Sequence, residues 1–179
     1  MRVIGIDPGK SGAIALVHDR AAIWVKSCPI IKPKKGKSQY DERAMAKIIS
    51  DETDGEFIMN PLTTRRGIPA PRIDLVVIES VHAMPGQGVS SMFNFGMGFG
   101  IWLGILASKS IPYELVTPQR WKKDMLADIP GDDKKARSVI AAKRMFPDLE
   151  FPLKKDHDKA EAVLLAAWGT RKYGRQDRG

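Results

Sequence analysis

The stretch MRVIGIDPG, residues 1–9, begins the chain and is the part of the sequence that predicts most about the fold. Its apolar run ends in Asp7, and a Pro-Gly pair then turns the chain. Two more β-rich runs follow closely at residues 12–18 and 22–26. Three short apolar runs joined by tight connections predict an antiparallel meander at the start of a sheet.

The rest of the chain alternates between strand-like and helical patterns. A capping-box pattern begins at Ser38, and a long loop rich in Pro, Gly, Thr and Arg covers residues 51–72. The predicted elements are a helix at 38–50, strands at 73–79 and 113–117, and helices at 91–109, 118–126, from Asp132 or Asp133 to Phe146, and 156–172. This order predicts an α/β fold, with a mixed five-stranded sheet flanked by helices. We expect a single domain at residues 1–170 and a basic, frayed tail at 171–179.

Composition narrows the class of protein. The 179 residues carry 29 Lys and Arg against 21 Asp and Glu, a net charge of +8 that favours a polyanionic partner. Four lysines crowd the exposed loop at 27–37. The lone Cys28 forms no internal disulfide, and no secretory signal is visible at the N-terminus. The apolar run at 92–107 is shorter than the roughly 20 residues that span a bilayer, so we expect a buried helix, no membrane association and a cytoplasmic location.

Both of the clearest strands end in an acid, Asp7 in the first and Glu79 in the run IDLVVIE at 73–79. A charge directly behind a buried strand is costly to bury unless it is paired or binds a cation. If the two strands are neighbours, both carboxylates reach the crevice at the strand ends, where ligands bind in α/β sheets. The alternatives are a turn residue at Asp7 and a salt-bridged strand end at Glu79.

A second pair of acids lies in KKDHDKAEAVLLAAW. Asp158 and Glu161 are three residues apart and share one face of a helix, where their repulsion would be relieved by a divalent cation. His157 is also placed to share that face, and Asp156 lies in the same turn, so the register stays open. First-turn acids favoured by the helix dipole are the alternative. Four carboxylates without a Cys/His cluster favour Mg²⁺ or Mn²⁺, and a two-metal site of this kind suits phosphodiester cleavage.

Three motifs in this order resemble the RuvC-type Holliday junction resolvases of the ribonuclease H-like superfamily. They are the N-terminal GIDPG, the ESV at 79–81 and the late HDKAEA at 157–162. The resemblance implies that Asp7, Glu79, Asp158 and Glu161 hold two Mg²⁺ ions and that the substrate is a four-way or other branched DNA junction. The family commonly has Asp where Glu161 stands, which leaves the fourth ligand open. In its departures from the bacterial pattern, the sequence resembles the phage and viral members of the family. A protein of that branch would be located in the host cytoplasm.

The resemblance also implies a homodimer and a set of basic DNA contacts. The helix at 91–109 is apolar nearly all round, and Gly96, Gly100 and Gly104 would allow another helix to approach closely. We therefore predict that it contributes to a dimer interface, with core packing as the alternative. The expected DNA-binding residues, for each of which a solvated surface position is the alternative, are Lys122, Lys123, Lys134, Lys135, Arg65 and Arg66.

Three other functions fit parts of the pattern. An actin- or hexokinase-like nucleotide-binding protein also begins with an Asp and a Gly-rich turn, but it needs a second related domain. A RuvC-related nuclease that processes ribosomal RNA would have the same fold and a different substrate. A junction-binding module without catalysis would not need the acids at Asp7, Glu79 and Asp158.

Overall fold

A five-stranded mixed sheet forms the centre of the computed structural model, which describes residues 1–53, 72–80, 86, 88–152 and 156–174. The strands are β1 (Arg2–Ile6), β2 (Ala13–His18), β3 (Ala21–Ser27), β4 (Ile30–Ile31), β5 (Gln39–Tyr40), β6 (Leu75–Glu79) and β7 (Tyr113–Val116). The helices are α1 (Glu42–Thr53), α2 (Val89–Ser108), α3 (Pro118–Leu126), α4 (Lys134–Met145) and α5 (His157–Tyr173). Strands β4 and β5 form a separate short hairpin.

The order of strands in the main sheet is β3-β2-β1-β6-β7. Strands β1, β2 and β3 pair antiparallel, whereas β6 and β7 run parallel to β1. This confirms the predicted mixed sheet that begins with an antiparallel meander. Strand β1 lies at the centre because it pairs with β2 on one side and with β6 on the other.

The side chains of β1 alternate between two helical layers, as the pleat of a strand requires. Val3 packs in the core beneath α5, together with residues of α3 and α4. Ile4 and Ile6 face the opposite core, which α1 and α2 cover. The centre of the sheet is therefore buried on both faces, which explains why β1 and β6 are nearly continuous aliphatic runs.

Gly5 lets α5 lie directly on β1. A Cβ added there would overlap the carbonyl oxygen of Ala162 and lie 2.5 Å from the amide nitrogen of Ala166. These are backbone atoms, which cannot rotate away. The close approach sets the height of α5 above the sheet and thereby the position of the acids in its first turns.

We expect Gly5→Ala to lower the free energy of unfolding by about 3 kcal/mol, because α5 must shift to admit the methyl group. Thermal denaturation should show a fall in Tm of about 10 °C. The matched control is Gly88→Ala, directly before α2, where φ is −63° and an added Cβ meets nothing within 4 Å. Alanine there should lower Tm by no more than about 3 °C, since it only weakens a helix cap. Equal destabilisation by both substitutions would contradict the packing argument.

The helix after the hairpin begins later than its sequence pattern predicts. The prediction of a cap at Ser38 is wrong, because residues 39–40 pair as a strand with β4 and the buried Tyr40 ring packs against α2. Asp41, directly before α1, accepts a hydrogen bond from the backbone amide of Ala44 at 3.0 Å through its Oδ1. Of the two candidate caps for α4, Asp133 is the one that accepts backbone amides, those of Lys135 and Ala136.

The helix α2 is less buried than its composition predicts. Only Gly98, Trp102 and Leu106 are buried within the chain, whereas Phe93 is 71% and Val89 85% exposed. The expectation of a helix buried on several sides is therefore wrong for the isolated chain. Within the described residues, it is also the single helix that is long and apolar enough to cross a membrane, a weak indication on its own.

Two further expectations concern the C-terminal tail and the long loop at 51–72. The last helix continues through Tyr173, into the segment predicted as a tail, and residues 175–179 lie outside the described residues. Most of the long loop predicted at 51–72 also lies outside them, including Arg65 and Arg66.

Candidate active site

Two carboxylates lie at the same edge of the sheet because two parallel neighbours end there. Asp7 follows the last residue of β1, and Glu79 is the last residue of β6. The strands pair in parallel with Ile6 opposite Ile78, so each acid stands one residue beyond the same paired position. The expectation that these strands are neighbours is therefore confirmed.

The acids of α5 reach this edge as well. Asp158 and Glu161 lie in the first turns of the helix, which packs across β1 and β2. Their charges act on Asp7 and Glu79, and Glu161 acts on Asp158. The structure thus brings the four predicted acids into one electrostatic cluster, which we call the acid cluster.

Asp7 is the most perturbed member of the acid cluster. Burial, followed by the charges of Glu79 and Asp158, raises its pKa from 3.8 to about 7. The backbone amide of Gly9, which donates to Oδ1 at 3.3 Å, acts in the opposite direction. A carboxyl with this pKa is only partly ionised at neutral pH unless a cation offsets the repulsion.

Trp121 of α3 holds Glu79 in place. Its indole Nε1–H donates to Oε1 of Glu79 at 2.9 Å, and the ring is fully buried. Burial raises the pKa of Glu79, while the Trp121 hydrogen bond and the Lys122 charge lower it and Glu161 raises it. The tryptophan therefore both packs in the core and orients a carboxylate.

Glu161 has a different environment, because it is already paired. The Nζ of Lys122 lies 2.9 Å from its Oε1 and 3.0 Å from its Oε2, and the hydroxyl of Ser138 donates to Oε1 at 2.9 Å. Its side chain is 10% exposed. Both oxygens thus have partners from α3 or α4, which distinguishes Glu161 from Asp7 and Glu79.

The side chains at 156–158 in the first turn of α5 make different contacts. The His157 Nε2 lies 2.9 Å from Oδ1 of Asp158, so the histidine borders that carboxylate. Asp156 is buried and pairs with Lys159 at 3.1 Å. Burial and the Glu161 charge raise the pKa of Asp158, whereas the His157 charge lowers it, so Asp158 interacts electrostatically with the other acids of the cluster.

Two of the predicted basic residues lie at the acid cluster. Lys122 contacts Glu161, and the charges of Lys122 and Lys135 lower the pKa of Asp158. Lys123 and Lys134 are exposed on α3 and α4, and within the part of the chain that the structure describes no ion pair joins either to an acid. The predicted Arg65 and Arg66 lie outside the described residues.

Sequence reasoning missed Ser138 and Lys10. Ser138 carries a buried hydroxyl on the apolar face of α4. The sequence indicates it only by helical spacing, because Ser138 lies three and four positions before the buried Ala141 and Ala142. Lys10 follows the Asp7 turn and donates to the Ser38 carbonyl at 2.6 Å and to Asn94 Oδ1 at 2.8 Å. No local pattern reveals these partners, which come from distant segments.

The donor chemistry of the acid cluster fits a hard divalent cation. All of its groups are carboxylates, and burial together with mutual repulsion raises the pKa values of Asp7, Glu79 and Asp158, an effect that a bound cation would oppose. Among the described residues, no three acidic, histidine or cysteine side chains are close enough to hold one ion by themselves. In proteins Mg²⁺ keeps several waters and is usually bound by one or two carboxylates together with substrate phosphates.

Solved structures resemble this chain along nearly its whole length. The RuvC of Thermus thermophilus covers 96% of the chain and 96% of its own, with 16% identity and a TM-score of 0.57. The same protein in complex with a Holliday junction substrate gives 97% and 96% coverage, 14% identity and a TM-score of 0.56. The chain has the fold of RuvC. The predicted ribonuclease H-like fold is thereby confirmed.

A curated relative matches part of the sequence. A chloroplastic Holliday junction resolvase of Chlamydomonas reinhardtii is 31% identical over 93 residues, 51% of this chain. The match covers 10% of that protein's own length. No protein-family model matches the sequence.

Proposed function

We propose that the chain is a metal-dependent endonuclease that resolves four-way DNA junctions, and that Asp7, Glu79, Asp158 and Glu161 form its catalytic site. The observation that carries this is the acid cluster at the carboxyl ends of two parallel strands. The RuvC fold, and a partial relative that is itself a Holliday junction resolvase, support DNA junctions as the substrate.

The residues divide into those that would hold metal and those that would hold phosphate. Asp7, Glu79 and Asp158 are the proposed ligands of two Mg²⁺ ions, for which Mn²⁺ can substitute, with Glu161 as the fourth carboxylate. When bound, such ions activate water and stabilise the leaving oxygen of a phosphodiester. The Trp121 hydrogen bond fixes one oxygen of Glu79, which keeps the second oxygen in a constant position.

Lys122 has a role of its own in this proposal. Its side chain is 27% exposed, its ammonium group contacts Glu161, and its charge lowers the pKa values of Glu79 and Asp158. An ammonium group there can donate a hydrogen bond to a phosphate oxygen and stabilise the charge that develops as the bond breaks. Ser138 would keep Glu161 in place when Lys122 turns toward the substrate. Lys123, Lys134 and Lys135, together with Arg65 and Arg66, are proposed as contacts to flanking DNA.

The direct test uses synthetic substrates with Mg²⁺. The chain should introduce paired nicks at symmetric positions of a four-way junction and leave linear duplex of the same sequence intact. A structured RNA serves as the competing substrate, because a RuvC-related RNA nuclease would share the fold. Preferential cutting of RNA, or cutting of linear duplex as fast as the junction, would overturn the proposal. Stabilisation by a nucleotide without any cutting would indicate an actin-like function instead.

Paired nicks require two active sites, and we propose that α2 supplies a homodimer interface. Its outer face carries the exposed Phe93, and Gly96, Gly100 and Gly104 follow at four-residue intervals with open space where a Cβ would stand. Small residues in such a row let a second helix approach closely.

We expect Phe93→Glu to give a monomer in sedimentation equilibrium. Dimerisation would bury the new carboxylate away from water without a partner, which is costly, whereas in the monomer it stays hydrated. Junctions should then acquire single rather than paired nicks. The control is Ile23→Glu on β3, where an apolar residue is 50% exposed at the far edge of the sheet. A wild-type protein that is monomeric on DNA, or equal dissociation by both substitutions, would contradict this interface.

A further inference from the structure

Positive charge is concentrated in the loop that joins β4 to β5, which is separate in sequence from the acid cluster. It reads KPKKGK at 32–37, and we call it the lysine loop. All six residues are exposed, and no acidic residue occurs between Asp19 and Asp41. Within the described residues, none of its four lysines makes an ion pair, so their charge is available to a partner.

The base of the lysine loop is fixed to the turn that follows Asp7. The Nζ of Lys10 donates to the carbonyl of Ser38 at 2.6 Å, directly after the lysine loop. On the other side of the hairpin, the Cys28 amide donates to the Gly12 carbonyl at 2.8 Å. The hydroxyl of Tyr40 also donates to the carbonyl of Pro8 at 3.4 Å. Both stems of the hairpin are thus bound to residues 8–12.

The Tyr40 contact is buried and the Lys10 contact is partly buried, and together they hold the stems of the hairpin in one orientation. Tyr40 is 1% exposed, and its hydroxyl lies where a Cβ on Gly98 of α2 would stand. Lys10 reaches Asn94 of the same helix at 2.8 Å. The lysine loop is consequently a fixed projection from the Asp7 turn, at a set distance from the acid cluster.

The charge spacing of the lysine loop suits a nucleic-acid backbone. Three extended residues on each side of the tip reach on the order of 10 Å. A DNA duplex carries one phosphate charge per roughly 1.7 Å of its axis, so the lysine loop faces on the order of six phosphates. Lysine donates to phosphate as a point charge without base preference, which suits an enzyme that recognises shape.

We propose that the lysine loop grips the phosphate backbone of a DNA arm and fixes the distance between that contact and the bond that is cut. This inference rests on the proposed function, because it assumes that the acid cluster cuts DNA. It adds a substrate-positioning surface, formed by Lys32, Lys34, Lys35 and Lys37, that is separate from the acid cluster.

The first experiment replaces the four lysines by glutamine and measures binding of a four-way junction over a range of salt concentrations. The slope of log Kobs against log salt should fall by about 3, and affinity at fixed salt by about 10- to 100-fold, as backbone contacts are lost. The single-turnover nicking rate at saturating protein should stay within about twofold, because the acid cluster is intact.

The matched control removes four charges elsewhere. Arg20, Lys47, Lys143 and Arg144 are exposed on other elements, and their change to glutamine alters the net charge equally. Affinity should fall by less than about threefold in this variant, if the effect of the lysine loop is local. An equal loss in both variants would overturn the inference, since bulk charge would then explain the binding.

The second experiment maps the contact. Cys28 is 4% exposed, and burial raises the pKa of its thiol to about 12, so it is inert toward thiol reagents. A Lys35→Cys variant therefore carries a single reactive thiol to which a photo-cross-linker can be attached. Cross-links should fall on one or two phosphates at a constant number of nucleotides from the nick, and scattered cross-links would overturn the inference.

The possible failures can be told apart. If the wild type nicks junctions while the glutamine variant keeps full affinity and salt slope, only the role of the lysine loop is wrong. If the lysine loop binds DNA but the wild type cuts nothing, the proposed nuclease function is wrong and the backbone contact stands. If the wild type binds no DNA at all, both are overturned.

Discussion

Replacement of Asp7 by asparagine is expected to lower the rate of junction nicking by at least about 10³-fold, equivalent to about 4 kcal/mol of transition-state stabilisation. Asparagine has the same shape and can still accept the Gly9 amide, so the turn should keep its structure. It removes the negative charge that the proposed metal site requires. Single-turnover nicking with Mg²⁺ measures the effect directly.

Binding should respond in the opposite direction from cutting. The lysine loop and Lys122 are untouched by the substitution, and loss of a negative charge near the scissile phosphate reduces repulsion. We therefore expect the junction affinity of Asp7→Asn to equal or exceed that of the wild type. Asp51→Asn is the control, because Asp51 is an exposed carboxylate on α1 that pairs with Lys47, which is its one ion-pair partner among the described residues. Unchanged nicking by Asp7→Asn would exclude the acid cluster as the active site.

The positions of Asp7 and Glu79 follow from sequence because each depends on one local feature. A continuous aliphatic run can be buried on both faces of a sheet, and an acid at its end must lie at the sheet's edge. That the two strands are adjacent and parallel needed one further assumption, which the strand order confirms. Local chemistry and a single pairing are enough to place both groups.

The environment of Glu161 could not be predicted in this way. Its partners Lys122 and Ser138 belong to two other helices, and their contact with α5 depends on how three helices pack on one sheet. Spacing along α5 shows that Asp158 and Glu161 share a face, but not which of them is already paired. The remaining question about the fourth ligand is therefore tertiary in origin.

Two local patterns were overridden by packing in the same manner. The capping box at Ser38 competes with burial of Tyr40, whose ring fills the space above Gly98. The apolar circumference of α2 indicated a helix buried on several sides, yet the chain alone covers a single face of it. A sequence reports that a surface is apolar, whereas only the structure shows whether the same chain or another covers it.

The raised pKa of Asp7 has a consequence for stability that is independent of catalysis. Below about pH 4 the group is protonated in both the folded and the unfolded chain, and it contributes nothing. Between 3.8 and about 7 the folded chain holds the proton more tightly, so its free energy of unfolding falls as pH rises. Above about pH 7 the charge is present in both states, and the destabilisation by Asp7 is complete.

Asp7→Asn should accordingly be more stable than the wild type in EDTA at about pH 8, by about 2 kcal/mol or about 5 °C in Tm. The difference should vanish near pH 4, where the wild-type carboxyl is protonated. Magnesium at about ten times its Kd should stabilise the wild type by about 1.4 kcal/mol, because it binds only the folded chain, and should leave the variant unchanged. Thermal melts of both proteins at the two pH values, with EDTA and with Mg²⁺, measure all three differences. A wild type that is more stable than the variant in EDTA at the higher pH would show that Asp7 is stabilised by a partner other than a cation. An equal response of both proteins to Mg²⁺ would place the ion elsewhere.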